Sequence, residues 1–232
     1  MSTQPTEAYT GVDNLEVMQE AVNYNRYLLD TVRKQAPARG KVLDFGAGGG
    51  QFAAPLSKHG MDITALEPDQ FLQQRLHAQG LSVVGSTQEL ADASIDYIYT
   101  LNVLEHIDDD EAALRSLHAK LTAKGKLLIY VPAFPVLYTS MDAKVGHVRR
   151  YTRSTLAARV SAAGFRIERI GYTDSIGFFA TLAFKLIGNK DGDVSLGALK
   201  LYDRAIFPLS RALDLVARRW FGKNLLLVAS KS

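Results

Sequence analysis

Four glycines fall within five positions of Val42-Leu-Asp-Phe-Gly-Ala-Gly-Gly-Gly-Gln51, after a short apolar run and directly before a helical segment. Glycine lets the chain turn tightly and lets a ligand approach the backbone closely. Gly46, Gly48, Gly49 and Gly50 therefore point to a bound small molecule. A dinucleotide is a poor fit. With Gly46 and Gly48 in place, the third glycine of the G-x-G-x-x-G fingerprint falls on Gln51. Asp44, two residues before the first glycine, would repel a pyrophosphate. A P-loop is excluded because no Gly-Lys-Ser/Thr follows. The Asp44 carboxylate suits a cationic ligand instead.

A second acid supports a nucleoside. Leu66-Glu67-Pro68-Asp69 ends the next apolar run, and Glu67 lies about twenty residues beyond the glycines, where an acid accepts hydrogen bonds from ribose hydroxyls. A nucleoside that prefers Asp44 to a phosphate-binding helix end carries positive charge and no phosphate. S-adenosylmethionine, with its sulfonium and ammonium, has that chemistry. Transfer of its methyl group asks the protein mainly to align an acceptor and exclude water. A base is needed only when the acceptor enters protonated.

Candidates for that acceptor side follow the fourth and fifth apolar runs. Asn102-Val-Leu-Glu-His106 offers His106 as a base or as a loop-fixing residue. Asp108, Asp109 and Asp110 are spaced for a helix start and not for a metal, and no metal is expected. Val131-Pro-Ala-Phe-Pro-Val-Leu-Tyr138 and then Gly146-His-Val-Arg-Arg-Tyr151 read as a stiff lid. In it His147 would take a proton, Arg150 would hold an anionic group and Tyr151 would wall the pocket. The alternative is a solvated turn with Thr152 capping the next helix. Tyr24 and Asn25 are candidates for the opposite wall.

The elements that must position these groups alternate. Apolar residues recur at helical spacing from Val12 to about Lys34. Strands are expected over 41–45, 62–67, 81–84, 95–101, 126–131, 166–172 and 224–230. Helices are expected over 51–59, 69–79, 109–121 (closed by Gly125) and 153–163. Strand–helix alternation implies a largely parallel sheet with right-handed crossovers. The stretch 174–223 is too long for a plain connection and should hold helices of its own.

V-L-D-F-G-A-G-G-G, A-L-E-P-D and N-V-L-E-H-I, in that order and spacing, resemble the class I S-adenosylmethionine-dependent methyltransferases, over roughly 38–172 and the last strand. The resemblance implies a Rossmann-like α/β three-layer sandwich, with a seven-stranded sheet whose last strand is antiparallel. It implies that Asp44, Gly46, Ala47 and Gly48 line the cofactor and that Glu67, with Pro68 beside it, holds the ribose. Gly85-Ser86-Thr87-Gln88 should lie by the adenine, with Ser86, Thr87 or Gln88 replacing the aspartate many relatives carry there. Asn102 and Val103 should pass beneath the methionine part. The lid segment Gly146–Tyr151 resembles one in small-molecule and lipid-type members. Asn102-Val-Leu-Glu stands where amino-methylating enzymes carry Asn/Asp-Pro-Pro-Tyr/Phe. The absence of cysteine excludes cytosine C5 chemistry, and with it disulfides and zinc–thiolate sites.

The 232 residues are expected to form one methyltransferase domain, with an N-terminal helical segment over 1–37 and a helical insertion over 174–223. Hydrophobic residues make up 47% and charged residues 22%, the mix of a globular protein. No targeting signal or spanning helix stands out, so a cytoplasmic location is expected, with peripheral membrane contact as an option. The charge is lopsided. Residues 1–140 carry 11 Lys/Arg and 17 Asp/Glu, whereas residues 141–232 carry 16 and 7. A basic rear half suggests an anionic partner.

In the insertion, Leu209, Leu213, Val216 and Trp220 share one helical stripe, opposite Arg211, Arg218 and Arg219. Either these helices pack on the domain or in a homodimer, or they form an apolar, basic surface for an anionic lipid. The acceptor is expected to be a small molecule or lipid-linked compound, methylated on oxygen or carbon. The alternatives are an RNA methyltransferase, supported by charge alone, and a cofactor-binding protein without catalysis. The aromatics do not interleave with charge as nucleic-acid binding prefers, so nucleic acid is the weaker partner.

Overall fold

The computed structural model describes residues 17–187 and 195–231. The expected tail and the first part of the expected Val12–Lys34 helix lie outside them, as does part of the insertion. The strands are β1 (Lys41–Phe45), β2 (Asp62–Leu66), β3 (Ser82–Val84), β4 (Ile95–Leu101), β5 (Leu121–Pro132), β6 (Phe165–Thr173) and β7 (Asn224–Lys231). The helices are α1 (Val22–Gln35), α2 (Ala53–Lys58), α3 (Gln70–Ala78), α4 (Asp110–Lys120), α5 (Ser140–Lys144), α6 (Arg153–Ala162), α7 (Ser175–Ile187), α8 (Leu196–Leu201) and α9 (Phe207–Ala217).

The strands form one sheet in the order β3-β2-β1-β4-β5-β7-β6. The pairs from β3 to β5 are parallel, and β7 runs antiparallel to both β5 and β6. This is the Rossmann-like methyltransferase fold. Because side chains alternate across a strand, β1, β4 and β5 fill two cores at once. Leu43, Ile98, Leu127 and Ile129 pack on one face with Leu114 of α4 and Leu156 of α6. Val42, Tyr97, Tyr99, Leu128 and Tyr130 pack on the other with Leu28 and Val32 of α1. Burial on both faces is what makes these strands read as continuous apolar runs.

Two expectations are corrected. The first described long helix starts at Val22, because the 17–19 turn ends at Glu20 and Ala21. Gly125 does not close α4. That helix stops at Lys120, β5 starts at Leu121, and Gly125 lies within the strand. Asp109 caps α4 by accepting the Ala112 N–H at 2.8 Å, as its position predicts.

The insertion is tied down by polar groups. Asp214 accepts the backbone N–H groups of Asp174 and Ser175, both at 2.9 Å, and Asp174 accepts the hydroxyls of Tyr202 and Ser210. A π-helical turn over Tyr202–Ile206 joins α8 to α9. The buried face of α9 is Phe207, Ser210, Asp214 and Ala217. The stripe of Leu209, Leu213, Val216 and Trp220 therefore does not pack on the domain and is exposed.

Candidate active site

The parallel strands direct their carboxyl ends to one edge, where open α/β sheets bind ligands. There the glycine loop leaves β1. Gly46, Gly48 and Gly50 all have positive φ, a region that strains other residues. A Cβ on Gly46 would also collide with the Val103 side chain. Thus the strand-β4 loop packs directly on the glycine loop. The loop is clamped from the β2 side: Gly46 and Ala47 donate to the Leu66 carbonyl, both at 3.0 Å, and Gly48 donates to Glu67 Oε2 at 2.8 Å. Glu67 also accepts the Asp69 N–H at 3.0 Å. Pro68 is exposed between them.

Asp44 is buried, and its Oδ2 has no hydrogen-bond partner. Burial pushes its carboxyl up to about 7, and the nearby Glu67 charge adds to this. A buried carboxylate oxygen left without a donor is costly, and an ammonium group would satisfy it. With the open glycine loop and Glu67, the residues present fit S-adenosylmethionine. At the expected adenine turn, Gly85 and Ser86 donate their N–H groups to Glu89 Oε1, and the Thr87 hydroxyl accepts from Ser116 at 2.7 Å. Gln88 is exposed. The Thr87 side chain is thus already engaged.

Asn102 sits at the end of β4 with φ 55°. Its backbone N–H donates to the Tyr130 carbonyl at 2.8 Å and its amide donates to the Tyr24 hydroxyl at 3.4 Å. So α1 reaches the carboxyl edge through Tyr24. Asn25 instead bonds back to the Met18 and Gln19 carbonyls. It also lines a cavity of about 630 Å³ with Arg26, Gly49, Gly50 and Gln51.

The lid and the strand-β4 loop meet at two histidines. The His106 and His147 rings stand edge to face with centroids 4.7 Å apart. His147 Nδ1 lies 2.7 Å from Asp142 Oδ1, and its Nε2 lies 3.7 Å from Glu105 Oε1. Burial, helped by His147, pushes His106 down to about 4. Glu105 is fully buried with neither oxygen hydrogen-bonded, and burial pushes it up to about 8. Burial disfavours an ionised Asp142, but hydrogen bonds from His147 and Arg150 hold it well below the usual carboxylate range. Glu105, His106 and His147 form the one group among the described residues with ligand atoms close enough, within 4.8 Å, to share a cation. Sequence reading singled out the two histidines separately and missed Glu105 and Asp142, whose only signal was an acid beside each histidine or its lid.

Two expected pocket residues are otherwise engaged. Arg150 donates from Nε and Nη2 to the two oxygens of Asp142, at 2.8 and 3.0 Å, and from Nη1 to the Ala133 carbonyl. Its guanidinium is consumed in holding the lid. Tyr151 is buried in the core, and its hydroxyl bonds Asp110 at 2.6 Å and the Leu104 carbonyl at 3.1 Å. It cannot wall a pocket from there. Lys223, which the sequence does not single out, directly precedes β7. Since β7 is antiparallel, its start comes to the carboxyl end of β5. Lys223 accepts the Ala133 N–H at 2.8 Å and donates its own N–H to the Asp174 carbonyl at 2.9 Å. Among the described residues its ammonium has no hydrogen bond or ion pair. Burial pushes its pKa down.

Fold and site together define a class I S-adenosylmethionine-dependent methyltransferase. Comparison with known proteins agrees. Residues 18–170 match the profile of a methyltransferase-domain family, and the chain belongs to that family. Among curated relatives, a ubiquinone biosynthesis O-methyltransferase of Azorhizobium caulinodans is 26% identical over 168 residues, covering 62% of this chain and 66% of its own. One of Xanthomonas axonopodis pv. citri is 33% identical over 103 residues, covering 40% and 43%. The chain thus spans between about two fifths and two thirds of the length of these relatives. A methyltransferase structure from Thermotoga maritima shares the fold at TM-score 0.67 and 20% identity, covering 97% of this chain and 98% of its own. A Haemonchus contortus phosphoethanolamine N-methyltransferase 2, solved with S-adenosylmethionine, gives TM-score 0.59 at 17% identity, covering 90% and 52%. No helix among the described residues is long and apolar enough to cross a membrane.

Proposed function

We propose that this enzyme methylates a hydroxyl oxygen of a small, partly apolar and anionic acceptor bound between the lid and the insertion. The observation that carries this reading is the paired His106 and His147 at the carboxyl edge, with Asp142 holding His147 Nδ1. Asp142 fixes the ring orientation, and the histidine pair takes the proton that a hydroxyl loses on methylation. Asp44 and Glu67 hold the cofactor, which supplies a methyl carbon activated by its sulfonium. Ser86, Gln88, Asn102 and Val103 complete that side.

The lid supports a small acceptor. Tyr138 donates to the His147 carbonyl at 2.7 Å, and Lys185 of α7 donates to the Val136 carbonyl at 2.7 Å. Phe134 stacks on Tyr172 at 4.7 Å and meets Phe178 edge to face. This aromatic wall suits an apolar ring, and Lys223 suits a negative group on it. The exposed α9 stripe supports a lipid-linked acceptor arriving from a membrane surface. The names of the curated relatives, O-methyltransferases of ubiquinone biosynthesis, point the same way.

Mass spectrometry of metabolite extracts incubated with enzyme and cofactor tests the reading. The expected product gains one methyl on a hydroxyl, and its formation falls at least tenfold in His147→Gln. Methylation of RNA, or of nitrogen alone, would sink it. Co-sedimentation with vesicles against analytical ultracentrifugation separates membrane contact from a homodimer covering the same stripe.

A further inference from the structure

Four arginines of the basic rear half, Arg153, Arg169, Arg218 and Arg219, line one groove away from the glycine loop. Arg149 and Arg159 pair with the buried Asp110, and Arg150 pairs with Asp142. These arginines hold the structure together. The groove is a cavity of about 410 Å³ that opens between α1, β6 and α9 at the sheet edge. Lys34, Arg153, Arg169, Arg211, Arg218 and Arg219 all line it.

Asp214 is the one carboxylate of its lining, and it is spent. It accepts two backbone N–H groups and pairs with Arg211 at 2.6 Å. Arg211 also lies over the Tyr27 ring at 3.8 Å. Among the described residues the other five cations have no ion-pair partner. Holding five like charges around one hollow is unfavourable unless an anion shares it. Charges on an edge strand can serve only to block pairing with another sheet. That account covers Arg169 but not the convergence of cations from α1, α6 and the end of α9. Guanidinium groups bind phosphate oxygens in pairs, and five cations exceed what one carboxylate needs.

We propose that this groove is a binding site for a phosphate-bearing ligand, separate from the cofactor site and beside the proposed acceptor wall, with which it shares Tyr172. In the sheet order, β6 stands four strands from β1 and its glycine loop. The phosphate can come from a soluble phosphorylated compound or from a phospholipid headgroup, since both present the same oxygens.

Isothermal titration with inorganic pyrophosphate, and co-sedimentation with phosphatidylglycerol–phosphatidylcholine vesicles against phosphatidylcholine alone, test the site and separate the two sources. Wild-type protein should bind at least one of these anionic probes, more weakly as salt rises. The Arg169→Glu/Arg218→Glu variant should bind it at least ~tenfold more weakly, with S-adenosylmethionine binding unchanged. Lys34→Glu/Arg219→Glu is an independent second variant at exposed positions. Pyrophosphate binding assigns a soluble ligand, and binding to anionic vesicles alone assigns a headgroup. The proposal fails if neither probe binds, if both variants bind like wild type, or if only single-stranded RNA binds.

Discussion

The Asp203 carboxylate, in the insertion, caps α1 near the other end of the chain. It accepts the backbone N–H groups of Asn23 and Tyr24, both at 2.9 Å, and Asn23 donates its amide to the Asp203 carbonyl. The first turn of a helix leaves such N–H groups without partners. Here the partner comes from 180 residues away. The same contact holds Tyr24 over Asn102 and against Phe207. The insertion therefore sets the position of Tyr24, the candidate for one wall of the site.

Replacing Asp203 by alanine should lower stability by about 1 kcal/mol, the usual worth of a cap. Thermal unfolding measures this. Loss of the wall should also raise KM for the acceptor more than it lowers kcat. An unchanged KM would show that α1 keeps its place without the cap.

Asp44→Asn should weaken S-adenosylmethionine binding at least tenfold by calorimetry. In wild type, affinity should fall as pH drops from 8 to 6, because the carboxyl near 7 takes up a proton and loses its attraction for the ammonium. In the variant this pH dependence should vanish.

Glu105 makes a stability prediction with a definite sign. Its folded value near 8 lies above its ordinary value of 4.5, so the folded protein holds a proton that the unfolded chain releases. Its contribution is intact below about 4.5 and is lost as pH rises to about 8. His106 works in the opposite direction between about 4 and 6.5, which hides the effect at lower pH. Comparing Glu105→Gln with wild type isolates it. The variant should gain stability relative to wild type between pH 6 and 8, by at most about 1.4 kcal/mol per pH unit. Denaturant titrations at a series of pH values check the slope.

Gly46→Ala should abolish cofactor binding or expression of folded protein, because its Cβ meets Val103 and its φ is 82°. Val103→Ala in the same chain should restore part of the loss. The remainder, on the order of 1 kcal/mol, is the backbone strain that no neighbour can relieve. Full rescue would leave the contact with Val103 as the whole cause.

Local chemistry marks a candidate cofactor half in the sequence, and the fold brings its residues to one edge. Asp44, the glycines and Glu67 lie on consecutive strand ends, so their order along the chain nearly determines their order in space. The strands themselves were legible because a buried strand must be apolar on both faces. The acceptor half was not legible in this way. Arg150 and Tyr151 carry the right chemistry for a pocket, yet Asp142 and Asp110 claim them, and no spacing rule announces which acid an arginine will meet. Lys223 reads in the sequence as a residue before a strand, and only the pairing of β7 with β5 sets its backbone beside Ala133. The amphipathic pattern of α9 identified its stripe, but the buried side proved to be the polar one, because Asp214 and Ser210 have partners at Asp174 and Ser175. The charge asymmetry was present in the composition. Which of its arginines are paired within the fold and which stand free around a groove depends on long-range contacts, and tertiary structure alone decided that.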